Sequence, residues 1–295
     1  MATPTPLSRY ITVQRAVDKE LAATLRDAAN EAEKIILRLA GKKGQAATIR
    51  RAQMQLQLKQ LRKLQAELWG SVTKATELGM HRAAEAAAEA EIAVNRVLFD
   101  AGGFVMADFD EAMRIQAQEA VQNVISRGAN GIPLSRQVYR TQALSRKLVD
   151  KAINRALLLN FSAKELAAVV KGLIDPNVRG GVSYAANRLA RTEINNAFHT
   201  SQIRLREGDP WTEGMRWRLS RSHPVRDKCN DYADGVHYRG GKPGVFEVGN
   251  VPGKPHPNCL CFLTTETIGK DEFIERMARG DFDSFMDNKL DKYGV

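Results

Sequence analysis

Apolar residues recur at helical spacing through most of the chain and at strand spacing only towards its C-terminal end. In "MQLQLKQLRKLQAELWGSV", Met54, Leu58, Leu61 and Leu68 fall three, four and seven residues apart, which predicts one apolar stripe on a long helix. "HRAAEAAAEAEIAVNRVLF" continues that composition until Gly102-Gly103 stops it, so residues 13–101 read as long helices broken at "GKKG", Gly41–Gly44. A second helical block follows. "DFDEAMRIQAQEAVQNVISRG" is expected to open with Asp108 as N-cap and to close at Gly128. After a turn at "NGIPLSRQ", "SRQVYRTQALSRKLVDKAINRALLLNF" reads as one amphipathic helix. Ser162 with Glu165 three residues on has capping-box spacing, and "SYAANRLARTEINNAFHTSQIRLREG" runs as a further helix to Gly208.

The pattern changes after Asp209-Pro210. "GMRWRLS", "VFEVG" and "CLCFLTTE" predict short strands, "YRGGKPG" is turn chemistry, and "DYADG" reads as a turn. The last stretch, "GKDEFIERMARGDFDSFMDNKLDKYGV", predicts one or two short helices. The expected fold class is mainly α: a helical arm over 1–103, a helical middle over 104–210, and a small turn-rich α+β module over 211–295.

Composition narrows this picture. No apolar run approaches the roughly 20 residues that cross a bilayer, and the opening segment lacks the pattern of a secretion signal. The expectation is a protein made and kept in a cytoplasm, with no membrane partner. Three cysteines do not suggest a disulfide scaffold. The net charge of +10 favours acidic partners and is unevenly spread. From Lys34 to Ala66 the chain has no Asp or Glu but carries Lys42, Lys43, Arg50, Arg51, Lys59, Arg62 and Lys63. Such a run is either a solvated helix face or a binding face for nucleic acid or an acidic protein; without aromatic residues, contact with nucleic acid would be to phosphate.

Chemistry concentrates in two clusters. "KPHPNCLCFL" holds His256, Cys259 and Cys261, and about thirty residues upstream "SRSHPVRDKCNDYADG" holds His223 and Cys229. On a strand, Cys259 and Cys261 would point to one face. A zinc site takes four N or S ligands, and these five residues supply that pool; in a module with little core a metal would substitute for missing apolar burial. Buried unligated thiols and a Cys259–His256 nucleophilic pair are the competing readings. The motifs for nucleotide phosphates and for zinc hydrolases are missing, and no catalytic role is expected. A metal-dependent hydrolase or transferase using Glu247 or Asp227 is the alternative, and a DNA-binding protein a further one. On the helix "YAANRLARTEINNAF", Tyr184, Arg188, Arg191 and Asn195 share a face while Ala190, Ile194, Ala197 and Phe198 can face a core. Arg191 and Glu193 read first as ordinary surface charges, with pairing to the C-terminal module as the alternative.

Taken in order, "LARTEINNAF", "SRSHPVRDKCNDYADG", "KPGVFEVGNVP" and "KPHPNCLC" resemble the tailed-phage minor head proteins, whose shared unit is the Mu F-like head morphogenesis domain. The resemblance covers roughly 134–266. It implies recurrent roles for Arg191, Thr192 and Glu193, for His223 and Cys229, for Gly244, and for His256, Pro257, Asn258, Cys259 and Cys261. Leu260 stands where the family's closing motif has a basic residue. The resemblance further implies a virion component present in few copies, assembled in the host cytoplasm and acting at the head interior with portal or major capsid protein and with packaged DNA as a further partner.

Overall fold

The computed structural model of the chain describes residues 6–39, 47–129, 131–158, 162–177, 181–221, 223 and 225–295. Six helices come first: α1 (Pro6–Leu39), α2 (Ala47–Gly102), α3 (Ala107–Arg127), α4 (Leu134–Leu158), α5 (Ala163–Ile174) and α6 (Gly181–Arg206). They are followed by β1 (Thr212–Arg218), α7 (Lys228–Asp234), β2 (Val245–Phe246), β3 (Phe262–Thr267), α8 (Lys270–Ala278) and α9 (Asp283–Tyr293). The three strands form an antiparallel sheet in the order β2-β1-β3, with Met215 opposite Phe246 and Trp217 opposite Leu263. The fold is mainly α with a small α+β part near the C-terminus.

The chain gathers into two compact units that do not follow chain order. One comprises Met1–Gln14, Gly79–Leu134 and Thr192–Val295, the other Arg15–Leu78 and Ser135–Arg191. Among the described residues, every element of the second unit is a helix. Its α1 face of Val17, Leu21, Leu25, Ala28, Ala32 and Ile36 repeats every three or four residues and is buried. From the expected α2 stripe, Leu61 and Leu68 are buried and Leu58 is partly so. Ser162 caps α5 in the predicted box, its side chain accepting from the Glu165 amide while Glu165 accepts from the Ser162 amide.

The first unit carries the sheet. Its part of α2 buries a run of small residues, Ala83, Ala84, Ala87 and Ala88, which lets neighbouring helices approach closely. Around the start of β1, Trp211 meets Phe99, Phe109, Phe273, Phe282 and Phe285 edge-on or tilted, so the two C-terminal helices close over an aromatic core. At its centre lies Arg206, fully buried, which donates to Glu91 Oε2 at 2.9 Å, Asn95 Oδ1 at 2.5 Å and Asp209 Oδ2 at 2.7 Å. Glu91 also accepts from Gln202 and from Thr265 of β3, and Trp211 Nε1 donates to Asn95.

Four local expectations are corrected. The N-cap of α3 is Met106, not Asp108; Asp108 and Asp110 lie in the first turn, where carboxylates face the positive end of the helix. "VFEVG" pairs only over Val245–Phe246 and then turns into a single 3-10 turn, Val248–Asn250. "DYADG" belongs to a helix, because Asp227 and Asn230 form a capping box that starts α7. Cys259 and Cys261 precede β3 instead of lying on it, so strand alternation does not orient them.

Breaking the Arg206 cluster with Arg206→Met leaves two buried carboxylates without their cation; urea unfolding is expected to show a loss of about 3–5 kcal/mol. Lys289 works in the opposite direction. It is buried on α9, its Nζ 4.8 Å from the Phe109 ring centre and 3.5 Å from the Leu205 carbonyl oxygen, and burial brings its ammonium down to about 8. The unfolded chain therefore binds the extra proton between pH about 8 and the ordinary lysine value, and this residue's contribution to stability rises with pH across that window. Lys289→Met is expected to stabilise the protein by about 1–3 kcal/mol at pH 7, a gain that shrinks above pH 8 in thermal melts.

Candidate metal centre

The two Cys/His clusters predicted from sequence meet in space. Cys229 is the second residue of α7, and Asp227, as its N-cap, accepts from the Cys229 amide at 2.7 Å. Cys259 follows Asn258, which takes a left-handed backbone at φ 58° that Asn tolerates better than most residues, and this turn brings the thiol back towards α7. All three cysteines are free and buried. Cys229 Sγ is 3.5 Å from Cys259 Sγ and 3.4 Å from His256 Nε2, and Cys261 Sγ is 3.8 Å from His223 Nδ1.

These five donors form two triads that share Cys229: His223, Cys229 and Cys261, and Cys229, His256 and Cys259. Within each triad the donor atoms lie inside 4.8 Å of one another. Around a tetrahedral zinc the ligand edges are about 3.8 Å between two sulfurs and about 3.6 Å between sulfur and nitrogen. The measured separations match those edges, and the all-S/N chemistry is that of a soft or borderline divalent ion. His223 is 10% exposed at its side chain and His256 36%, and both reach Asp227, at 3.4 Å and 3.1 Å. Asp227 thus holds a helix start and both imidazoles at once. The amide bond from Cys229 first, and the two imidazoles after it, keep its carboxyl below the usual range.

Within the thiol cluster, burial pushes Cys229 up to about 12, while the hydrogen bond that Cys261 accepts from Cys259 holds Cys261 down to about 5. That same bond, with burial, raises Cys259. A bound ion would favour the thiolate form of each sulfur that it takes and displace that thiol's proton.

Lys254, half-buried, donates its ammonium to the Cys261 carbonyl and stands 5.1 Å over the Trp217 ring. Sequence reasoning passed over it; a lysine between Gly and Pro carries no signal until folding sets it against three thiols. Asn195, on the predicted face of α6, donates to the Cys259 carbonyl, and Thr192 Oγ1 accepts from the Asn258 amide at 3.4 Å. Arg191 pairs with Asp18 of α1 through both its Nε and a terminal nitrogen at 2.9 Å, and Glu193 is buried at 1% exposure, unlike an ordinary surface charge. Ala190, Ile194, Ala197 and Phe198 face the core as expected. His199, next to Phe198, is buried, donates from Nε2 to the Pro252 carbonyl at 2.9 Å, and is kept neutral by burial that drops it to about 3.

Gly244 sits at φ +74°, where a Cβ would come within 2.5 Å of the Ala233 carbonyl oxygen; its own amide donates to Gly235 and its carbonyl accepts from Trp217. It immediately precedes β2 and ties that strand's start to the end of α7. Of the basic run, Lys59, Arg62 and Lys63 are exposed on α2, Arg50 and Arg51 lie on α2, and Lys42 and Lys43 fall outside the described residues. Arg62 is 3.8 Å from Asp150 of α4. Glu247 is exposed and bonds Asn250, away from the thiols.

Comparison with known proteins returned no matching family model, no similar curated protein and no similar solved structure.

Asp227→Ala is expected to lower stability by about 1 kcal/mol through loss of the α7 cap, and Asp227→Asn by less, since an amide oxygen still accepts from the Cys229 amide. Urea midpoints of the two variants against the parent chain check this order.

Proposed function

We propose that this chain is a structural minor head protein of a tailed phage, whose C-terminal module is closed by one zinc ion. The observation that carries the reading is convergence. The stretches that resemble the head morphogenesis domain, far apart in the chain, supply His223 and Cys229, and His256, Cys259 and Cys261, to two triads that share Cys229, and Thr192 and Asn195 to the backbone of the Cys259 loop. Ordered resemblance alone concerns sequence; residues that also share a site have a common physical reason to occur together.

The donor pool supports a structural role for the metal. Two triads that share Cys229 offer five donors, and a ligand set drawn from both fills the four positions of a tetrahedral ion, leaving none for the water that a catalytic zinc requires. The surrounding sheet is small, with a buried cluster of Met215, Trp217, Phe246, Leu263 and the three cysteines themselves. Replacing a modest apolar core with metal–thiolate bonds is the usual economy of such modules. Three thiolates and one neutral imidazole around a divalent cation leave one negative charge, which the Lys254 ammonium offsets. Asp227 meets His223 through Nε2, which leaves Nδ1 facing Cys261 for the ion, whereas it meets His256 through the same Nε2 that faces Cys229; His223 therefore fits the fourth position with its Asp227 contact kept, and His256 only by giving that contact up. The exposed cations of α2 support contact with an acidic surface of portal, capsid or packaged DNA.

Elemental analysis of protein purified without chelator is expected to give one zinc per chain. Cys259→Ser, or prolonged chelation, should release the ion and melt the β-containing module, read as loss of Trp217 near-ultraviolet dichroism with most helical signal retained. A chain free of zinc whose Cys259→Ser variant melts like the parent would sink the metal assignment. The virion assignment is tested by quantifying the protein in purified particles, where a copy number near that of the major capsid protein would contradict it.

A further inference from the structure

Charge is divided between the two compact units far more sharply than the whole-chain value suggests. The unit of Arg15–Leu78 and Ser135–Arg191 holds 24 Lys and Arg against 10 Asp and Glu, a net +14; the other holds 20 against 24, a net −4. Within the basic unit, α4 concentrates the excess. Arg136, Arg140, Arg146, Lys147, Lys151 and Arg155 are all exposed over about 28 Å of helix, and among the described residues none of them forms an ion pair. Leu144 and Leu148, one turn apart on the same side, are 62% and 41% exposed. Phosphate backbones reward charge and offer nothing to a leucine pair. The face calls for a partner that is apolar at its centre and acidic at its rim.

The same unit carries such a surface. Between α1 and α2 runs a groove of about 460 Å³, floored by Ala28, Leu64 and Leu68 and edged by Asp27, Glu31 and Glu67. Lys34 also lines it and lies 3.6 Å from Glu31, and Lys63 lies 3.7 Å from Glu67. Both of these pairs are solvent-exposed and individually weak, so they yield to a better-placed cation. We propose that the exposed face of α4 of one copy seats in the α1–α2 groove of a second copy, Leu144 and Leu148 on Leu64 and Leu68, with Arg140, Lys147 and Lys151 against Asp27, Glu31 and Glu67. The two surfaces differ, so the contact is head-to-tail: each copy keeps one α4 and one groove free, and association propagates to a ring or an open row.

The proposal is independent of the zinc and virion readings and is tested on the full chain by sedimentation. The parent protein is expected to associate with rising concentration at low salt and to dissociate towards monomer near 1 M salt, where the screening length is about 3 Å. Lys147→Glu with Lys151→Glu makes α4 acidic against an acidic groove; Glu31→Lys with Glu67→Lys makes the groove basic against a basic α4. Each double variant alone is expected to be monomeric, and an equimolar mixture of the two is expected to associate again, since each then meets its opposite. Circular dichroism melts identify a variant that fails to fold, for which Lys147→Gln with Lys151→Gln is the milder replacement. A parent chain that is monomeric throughout, association that survives either reversal, or a mixture that stays monomeric overturns the proposal. So does a monomer that binds a duplex DNA through Lys147 and Lys151, which would assign the face to nucleic acid.

Discussion

A buried guanidinium holds the sheet-bearing unit together. Arg206 ends α6 and yet is fully enclosed, and four hydrogen bonds from its guanidinium reach the Glu91 carboxylate, the Glu91 main-chain carbonyl and the Asn95 amide on α2, and the Asp209 carboxylate that opens the strand region. Removing such a charge from water is costly, and only a cluster with every lone pair engaged offsets it. Glu91 accepts from Arg206, Gln202 and Thr265, tying α2, α6 and β3 at one point. Arginine suits the position because its planar fork serves several acceptors from fixed directions, which an ammonium does not.

That clamp sets where α6 ends and β1 begins, and so where the thiol cluster can form. From the same helix, Asn195 and Thr192 hold the loop of Cys259 by its backbone, and buried His199 ties Pro252. The loop carrying two thiols is therefore fastened at several main-chain points before any ion is considered, an arrangement that lowers the ordering cost of binding one. Asp227 performs the matching task on the other side by starting α7 and touching both imidazoles.

The two units differ in chemistry as well as composition. One is built around aromatic rings, a buried ion cluster and sulfur; the other is helical and strongly basic, with its apolar stripe on α1 and an exposed α4. Helices with such charge excess repel themselves unless opposite charge lies near, and acidic residues on α1 and α2 provide it locally. A basic helix face and an acid-edged groove on one unit make self-complementarity a property of the surface.

Helices, their stop signals and the Ser162–Glu165 cap were legible in sequence because each depends on neighbours within four residues. The Cys and His residues that gather at the candidate site were legible too, since they stand in two short, conspicuous clusters along the chain. Several things were not. The Asp108 cap failed because helix starts are decided within a residue or two by backbone geometry. Strand alternation did not orient Cys259 and Cys261, because a left-handed Asn258 and the turn before β3 did. Arg191 paired with Asp18, more than 170 residues away, and Lys254 joined the thiols, because both contacts exist only after distant segments meet. Local hydrogen bonding and periodicity are written along the chain. The partners of a charge and the closure of a site depend on which segments pack together, and here the units draw on interleaved pieces of the chain.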